Sequence, residues 1–517
     1  MTAVVADAVP AEPTPLTGST LWLAGILLAL ANFVAILDIS VANVSVPNIA
    51  GALGVSSTQG TWVITSYAVA EAITVPLTGW LAARFGTVRV FVVALIGFAL
   101  TSALCGLAPS LTILVACRVL QGVCGGPLMP LSQTLLLAIF PKRLQAAALG
   151  LWAVTTITAP IIGPVAGGLL CDAFGWGAIF LVNVPVALVA GLLVWRLLAR
   201  FETPARAHGM DFVGLGLLVV WVGALQIMLD LGRTHTWFQS PLIIALAVIA
   251  VVGFVYFIIW ELTDARPVVD LRIFRHRGFS VGMVALALTI GAFFAVNIIT
   301  PLWLQTVMGY TAVWAGYANS LRGFSALAAA PVAAFLMTRI DPRRIICLGV
   351  LSLSAVTFGL AFSTTGASFG YIVFWMVLSG FGLPLFLLPL IGLTLADVAP
   401  EDTAAASGLQ NFIRTMATAV AISLATTQWE NGAITSQSRI AASVPLDGPM
   451  ARAVTQAGHT GNALRLDALM EHLIQAQSVM VATNGIFIAA AVLFLLCAGL
   501  VWLIPKPRSA VRSALGH

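Results

Sequence analysis

Runs of about twenty apolar residues recur along this chain, and each is long enough to cross the hydrocarbon of a bilayer as a helix. Fourteen are read, at 21–44, 61–82, 88–108, 111–136, 146–170, 176–198, 211–231, 241–262, 280–303, 315–338, 344–363, 369–396, 404–427 and 481–504. Of the 517 residues, 60% are hydrophobic and 8% charged, whereas a soluble domain carries about 25% charge. Most of the chain therefore cannot face water. Backbone in hydrocarbon must satisfy its own polar groups, so the expected fold class is an all-α polytopic membrane protein with about 14 transmembrane helices. The tail before Leu21 has no Lys or Arg, so the first run is read as a retained span rather than a cleaved signal.

Basic residues in alternate connections give the orientation. With the N-terminus in the cytoplasm, cytoplasmic segments hold 17 Lys and Arg, among them Arg84, Arg89, Lys142, Arg143, Arg339 and Arg344, against Arg233, Arg439, Arg452 and Arg465 outside. The bias places both termini in the cytoplasm. It also explains the net charge of +5 without invoking nucleic acid. The six cysteines show no metal-type spacing and read as small packing residues. No G-x-x-x-x-G-K-[ST] loop is present, which argues against an ATP-driven pump. The chain is not read as an enzyme, and no cofactor or metal is expected.

The sequence also repeats. Pro76, Arg84 and Arg89 recur with the same spacing as Pro331, Arg339 and Arg344, and Pro141 with Ala146 to Ala148 recurs as Pro400 with Ala404 to Ala406. The offsets, 255 to 259 residues, pair spans 1–6 with spans 9–14 and leave spans 7 and 8 as an insertion. Parallel six-helix halves are the architecture of the major facilitator fold. The expected organisation is a tail (1–20), an N-terminal bundle (21–198), a basic cytoplasmic link (199–210), two inserted helices (211–262), a C-terminal bundle (280–504) and a cytoplasmic tail (505–517). Within the C-terminal bundle, 428–480 reads as a polar external loop containing an amphipathic stretch from Asn462 to Gln477.

Charges inside spans are informative because each costs about 2.5–3.5 kcal/mol at the bilayer centre on insertion scales. Five are found: Asp38, Glu71, Arg118, Arg322 and Arg414. No His lies within a span, so a proton relay would have to use carboxylates. Asp38 and Arg118 sit at similar depth in spans 1 and 4, which allows an ion pair. Burial penalises a charged carboxyl and a nearby guanidinium favours it, so an element that moves Arg118 would switch proton affinity. A static pair that only locks two helices is the alternative. Glu71, Tyr67, Thr74 and Thr78 share one helical face, lining water or substrate, or else bonding to neighbouring helices. Arg118, Gln121, Gly122, Gly125 and Met129 form a similar face on span 4. Arg322 and Arg414 either serve anionic substrates, or simply pair with a carbonyl or snorkel. In span 5, Pro160, Gly163, Pro164, Gly167 and Gly168 predict a tight, kinked helix interface.

Several of these stretches carry a family resemblance. The span 5 stretch Ala159–Gly168 is similar to the antiporter motif of exporting branches of the major facilitator superfamily. Leu37–Val44 resembles the span 1 motif of fourteen-span drug:proton antiporters, and Arg118–Gly122 the span 4 motif with its buried Arg. Gly79, Arg84 and Gly86 match the loop 2–3 motif, which departs at Ala83 and Thr87 and so lacks the acid of that motif's charge relay. Gln59–Ser66, Gln226–Asp230, Trp260–Asp264, Val269–Leu271 and the Asn411, Phe412, Arg414, Thr415 set resemble the EmrB-like multidrug exporters, from about residue 20 to 505. Glu71 stands where that pattern has a neutral amide.

The resemblance implies export of hydrophobic drugs or toxic compounds across the bacterial inner membrane, driven by proton entry, with Asp38 and Arg118 as coupling residues. One proton charge is worth roughly 2.3 kcal/mol per 100 mV. The resemblance also implies a periplasmic adaptor (a membrane fusion protein) and an outer-membrane channel as partners. Substrate-cavity candidates are Tyr67, Thr74, Gln121, Met129, Arg322, Asn411 and Arg414. A proton-coupled transporter for one metabolite is the alternative within the fold, and a passive channel the alternative from another class.

Overall fold

The computed structural model describes residues 16–203, 211–232, 235–264, 267–310, 312–399, 402–443 and 463–505. Most of the two tails, most of the 199–210 link, and the expectations resting on Pro400, Asn462, Arg206, Arg233 and Arg452 lie outside them. Among the described residues there is no strand, and fourteen long helices follow one another. They are α1 (Gly18–Ala52), α2 (Trp62–Phe85), α3 (Thr87–Gly106), α4 (Leu111–Ile139), α5 (Gln145–Phe174), α6 (Asn183–Leu198) and α7 (Phe212–Leu231). The series continues with α8 (Pro241–Thr263), α9 (Arg277–Thr306), α10 (Ala312–Met337), α11 (Pro342–Ala361), α12 (Phe369–Leu395), α13 (Thr403–Ser443) and α14 (Ala463–Leu500). Eleven of these contain a stretch long and apolar enough to cross a membrane, and the bent α5 makes twelve. The other two, α2 and α13, are more polar and pack among the rest.

The repeat seen in the sequence is a repeat of packing. Helix α1 packs on α5 and α6, α2 on α4, and α3 on α4 and α6; the equivalent pairs α9 with α13 and α14, α10 with α12, and α11 with α12 and α14 also pack. Between halves, α2 meets α13 and α5 meets α10, which are themselves related by the repeat. The inserted α7 packs on α2 and α13, while α8 rests mainly on α7 and shows lipid a nearly continuous apolar surface.

An even helix count puts both ends of the chain on one side, here termed the terminal face. The closest approaches between halves lie towards it. A Cβ on Gly79 of α2 would sit 2.6 Å from the Ala405 Cα of α13, and one on Gly408 would sit 3.1 Å from the Val75 carbonyl. Only glycine lets these two backbones come together. Nearby, Gln133 Nε2 donates to Gln410 Oε1 at 3.0 Å. On the opposite, distal side, α7 bridges the halves: Thr65 donates to Asp230 Oδ2 at 2.5 Å, and Ser423 donates to the Leu229 carbonyl at 3.2 Å.

Helix α5 bends by 53° between Lys142–Pro160 and Val165–Phe174, as its prolines predict by removing backbone donors and crowding the preceding turn. It also packs tightly on α1. A Cβ on Gly163 would lie 2.3 Å from Ser40 Oγ, and one on Gly167 would lie 3.1 Å from Val41 Cγ1. Gly168 points into open space instead.

The segment 428–480 differs from its reading as a polar loop. Helix α13 runs on to Ser443 and α14 begins at Ala463. At 1.5 Å per residue, the 41 residues of α13 reach about 60 Å, twice a hydrocarbon thickness of about 30 Å. The two extensions pair at their base, where Trp429 Nε1 donates to Thr483 Oγ1 at 2.8 Å and Gly432 faces Ala482. These residues are too polar for hydrocarbon, yet nothing in them breaks a helix.

At the terminal face, Gly86 adopts φ +94°, and a Cβ there would collide with Glu202. Glu202, just past α6, accepts from the Val88 and Arg89 amides at 3.0 and 2.8 Å. A carboxylate thus caps the start of α3, which favours negative charge. In the C-terminal half, Asp341 caps α11, and Arg343 donates to the Ile504 carbonyl at 3.1 Å. Each half therefore ties its third helix to the end of its sixth, by different chemistry.

Candidate functional site

Asp38 and Arg118 form a salt bridge deep in the N-terminal half, with Arg118 Nη1 2.5 Å from Asp38 Oδ2. Both are shut off from solvent, at 1% and 0% exposed. Helix α1 is longer than its apolar run, but the depth argument holds because both residues sit well inside their helices. The pair is set in a network. Gln121 and Asn183 donate to Asp38 Oδ1 at 3.0 and 2.8 Å. Arg118 also donates to Gln121 Oε1 at 2.9 Å and, through Nε, to the Val63 carbonyl at 3.0 Å. Cys105 Sγ adds a weak bond to Gln121 at 3.3 Å. The Tyr67 ring lies 4.3 Å from the guanidinium carbon, in cation–π geometry.

Glycines make the cluster possible. A Cβ on Gly122 would lie 2.5 Å from the Tyr67 carbonyl, and one on Gly125 would lie 2.4 Å from the Tyr67 hydroxyl. Helices α2 and α4 therefore approach closely enough to lay the ring beneath Arg118.

Chemically, the site holds a carboxylate and a guanidinium paired away from water. A buried ion pair offsets the cost of desolvating both partners only when the remaining hydrogen bonds are satisfied. Here every Asp38 oxygen has a partner. Gln121 and Asn183 each carry both a donor and an acceptor.

The residues singled out in the sequence fall into three places. Asp38, Arg118, Gln121 and Tyr67 come together in this network. Gln121 and Tyr67 are fully buried there, as polar partners of the ion pair rather than lining of an open cavity. Thr74 is buried as well. Its hydroxyl donates to the Ala70 carbonyl of its own helix at 2.8 Å, and its Cβ packs where Gly126 of α4 comes past.

A second group lies between the halves. Arg414 of α13 contacts Met129 of α4 through Nη2, and its guanidinium carbon lies 5.6 Å from the Trp152 ring of α5. Half-buried Glu71 of α2 has no hydrogen bond or ion pair among the described residues. Asn411 donates to the Ser407 carbonyl at 2.9 Å and to Gln133 at 3.3 Å, which places it on the seam of the halves. Arg322, the third place, stands alone inside the C-terminal half.

Asn183, Gln133, Gln410 and Trp152 were not among the residues marked in the sequence. The available signal was amide side chains within apolar runs, which need partners in hydrocarbon much as charges do.

Two repeated helical halves, meeting on helices related by the repeat and burying charges within each half, define a polytopic membrane transporter. The chain belongs to the Major Facilitator Superfamily, whose family model matches residues 28–422. It is 40% identical over 502 residues to the multidrug export protein EmrB of Escherichia coli (strain K12), covering 96% of this chain and 98% of that one. It is 38% identical over 498 residues to the fatty acid resistance protein FarB of Neisseria gonorrhoeae, covering 95% and 98%. Its fold is similar to that of the proton:xylose symporter XylE, with TM-score 0.58 at 12% identity over 94% of this chain and 96% of that structure.

Proposed function

We propose that this transporter is a proton-coupled antiporter that exports hydrophobic drugs or toxic compounds from the cytoplasm by alternating access. The reading rests on one observation above all, the Asp38–Arg118 pair held by two reversible amides. A carboxylate poised against a removable cation can take up a proton when the cation withdraws and lose it when the cation returns. Glu71 of α2 is a second acid within a span. The names of the similar proteins, which refer to multidrug export and fatty acid resistance, supply the substrate side of the reading.

The basic bias of the sequence supports a cytoplasmic terminal face, and the similarity to bacterial multidrug exporters supports the bacterial inner membrane as the membrane crossed. The contacts of Gly79 with Ala405 and of Gln133 with Gln410 then belong to a conformation closed towards the cytoplasm. Export would require these contacts to separate and re-form in each cycle. The helical arms beyond the bilayer, 428–443 and the start of α14, project into the periplasm on this reading. There they suit a periplasmic adaptor, itself joined to an outer-membrane channel.

Asp38→Asn tests the coupling. Cells expressing it should lose energised efflux of ethidium while the purified variant still binds the dye. Wild-type efflux by the variant would remove Asp38 from the mechanism. For the partnership, deletion of 440–470 should weaken co-purification with the adaptor, and undiminished co-purification would exclude the arms.

A further inference from the structure

The connection from the inserted helices to the C-terminal half carries a basic patch with no part in transport as described. Helix α8 ends at Thr263 and α9 begins at Arg277, both at the terminal face. Between them, Leu271–Arg275 forms a short 3₁₀ helix. Side chains three apart in such a helix eclipse one another, so its residues fall into rows. Leu271 and Phe274 make an inward row, packed with buried Ile273 against the hydrophobic core. Arg272 and Arg275 make an exposed row, and exposed His276 and Arg277 follow directly.

This segment is pinned on both sides. The Val269 amide donates to Glu261 Oε2 of α8 at 3.1 Å, and Asp270 Oδ1 accepts from the Arg272 amide at 2.9 Å. Ser280 of α9 donates through Oγ to the Phe274 carbonyl, and the Phe274 and Phe279 rings meet edge to face at 5.4 Å. The backbone under the arginines is therefore fixed before anything binds, which lowers the ordering cost of a contact.

Other cations of the terminal face are already engaged. Arg89 pairs with Glu202 at 3.8 Å, Arg343 pairs with Asp341 at 3.2 Å, and Arg339 lies over the Phe335 ring. No carboxylate among the described residues pairs with Arg272, Arg275 or Arg277. Of the acids close by, Asp270 faces the Arg272 amide and Asp397 faces Gly278. Nor does the duplicated fold require the patch. Shifted back by the 255 to 259 residues of the repeat, 272–277 falls on 13–22, which contains no Lys or Arg. Exposed Val255, Ile259 and Leu262 run to the end of α8. Lipids covering that apolar face place their head groups level with the segment that carries the arginines.

We propose that Arg272, Arg275 and Arg277 bind the phosphate of an anionic phospholipid in the leaflet at the terminal face. The lipid anchors the connection between the inserted helices and the C-terminal half to the membrane surface. Guanidinium groups match phosphate oxygens in paired hydrogen bonds, and the exposed face of α8 takes the acyl chains. A zwitterionic lipid offers the same phosphate but brings its own cation, so the site prefers lipids of net negative charge. This holds whatever solute the protein carries.

Native mass spectrometry of the full-length protein tests it, using micelles that contain equal phosphatidylglycerol and phosphatidylcholine with the same acyl chains. Wild type should retain phosphatidylglycerol in preference. Arg272→Gln with Arg275→Gln should weaken that binding about tenfold or more, since each basic residue near an anionic surface contributes about fivefold. Lysine at both positions should keep most of the binding. Lys142→Gln with Arg143→Gln removes two exposed charges elsewhere and should leave it unchanged. In wild type alone, raising ammonium acetate should release phosphatidylglycerol ahead of phosphatidylcholine, a readout that needs no variant to insert. No preference for phosphatidylglycerol in wild type, retention indifferent to salt, or equal losses in the two glutamine variants would overturn the proposal. So would displacement of the lipid by inorganic phosphate, which would make this a site for free anions.

Discussion

The two halves of this transporter share their helix packing and differ in their buried charge. Inside the N-terminal half, α1, α4 and α6 close a network in which Arg118 and Asp38 neutralise each other and each Asp38 oxygen is hydrogen-bonded. Inside the C-terminal half, the equivalent helices surround Arg322 with amides, an aromatic ring and a small cavity. Duplication supplied one scaffold twice. Its polar positions then diverged, one half holding an ion pair and the other a cation among amides.

The comparison is broken most directly by making one substitution in both halves. Arg118→Gln strands the Asp38 carboxylate in a dry site and should destabilise the protein by about 3–5 kcal/mol, the usual cost of removing one partner of a buried pair. Arg322→Gln strands no acid and should change stability by less than about 1 kcal/mol. Thermal unfolding of the two variants in nanodiscs checks both, and equal losses would erase the distinction between the halves. A smaller effect tests the amides. Asn183→Leu removes one donor to a charged acceptor and should cost about 1.5–3 kcal/mol. It should also alter the pH dependence of efflux, which a purely structural amide would leave alone. A modest gain is expected from Asn297→Asp, which makes the C-terminal half resemble its counterpart. It should raise stability by about 1 kcal/mol at neutral pH, and a loss of stability there would mean that Arg322 has no room for an acid.

The fold was largely legible in the sequence because hydrocarbon leaves little choice. Runs of twenty apolar residues must be helices, and recurring prolines and arginines at a fixed offset must reflect a duplicated packing plan. Asp38 and Arg118 were legible for the same reason, since two opposite charges at one depth in a bilayer rarely stay apart. Residues whose cost is local were harder to read. Thr74 looks like part of a water-facing stripe, yet its hydroxyl is satisfied by the carbonyl one turn back, so it packs at no penalty. Asn183 carries no charge and stood out less, although it bonds the central carboxylate. The arm at 428–443 was hidden because hydropathy detects membrane contact rather than helicity, whereas the amphipathic stretch read up to Gln477 does fall on α14, which begins at Ala463.

The central claim is that the N-terminal ion pair exchanges protons while solute moves the other way. Purified protein in liposomes with an imposed pH gradient, with ethidium and internal pH followed together, tests this most directly. The account predicts that wild type moves dye and protons in opposite directions, and that Asp38→Asn moves neither. Dye pumping by Asp38→Asn at the wild-type rate, or wild-type pumping with no proton movement, would contradict it.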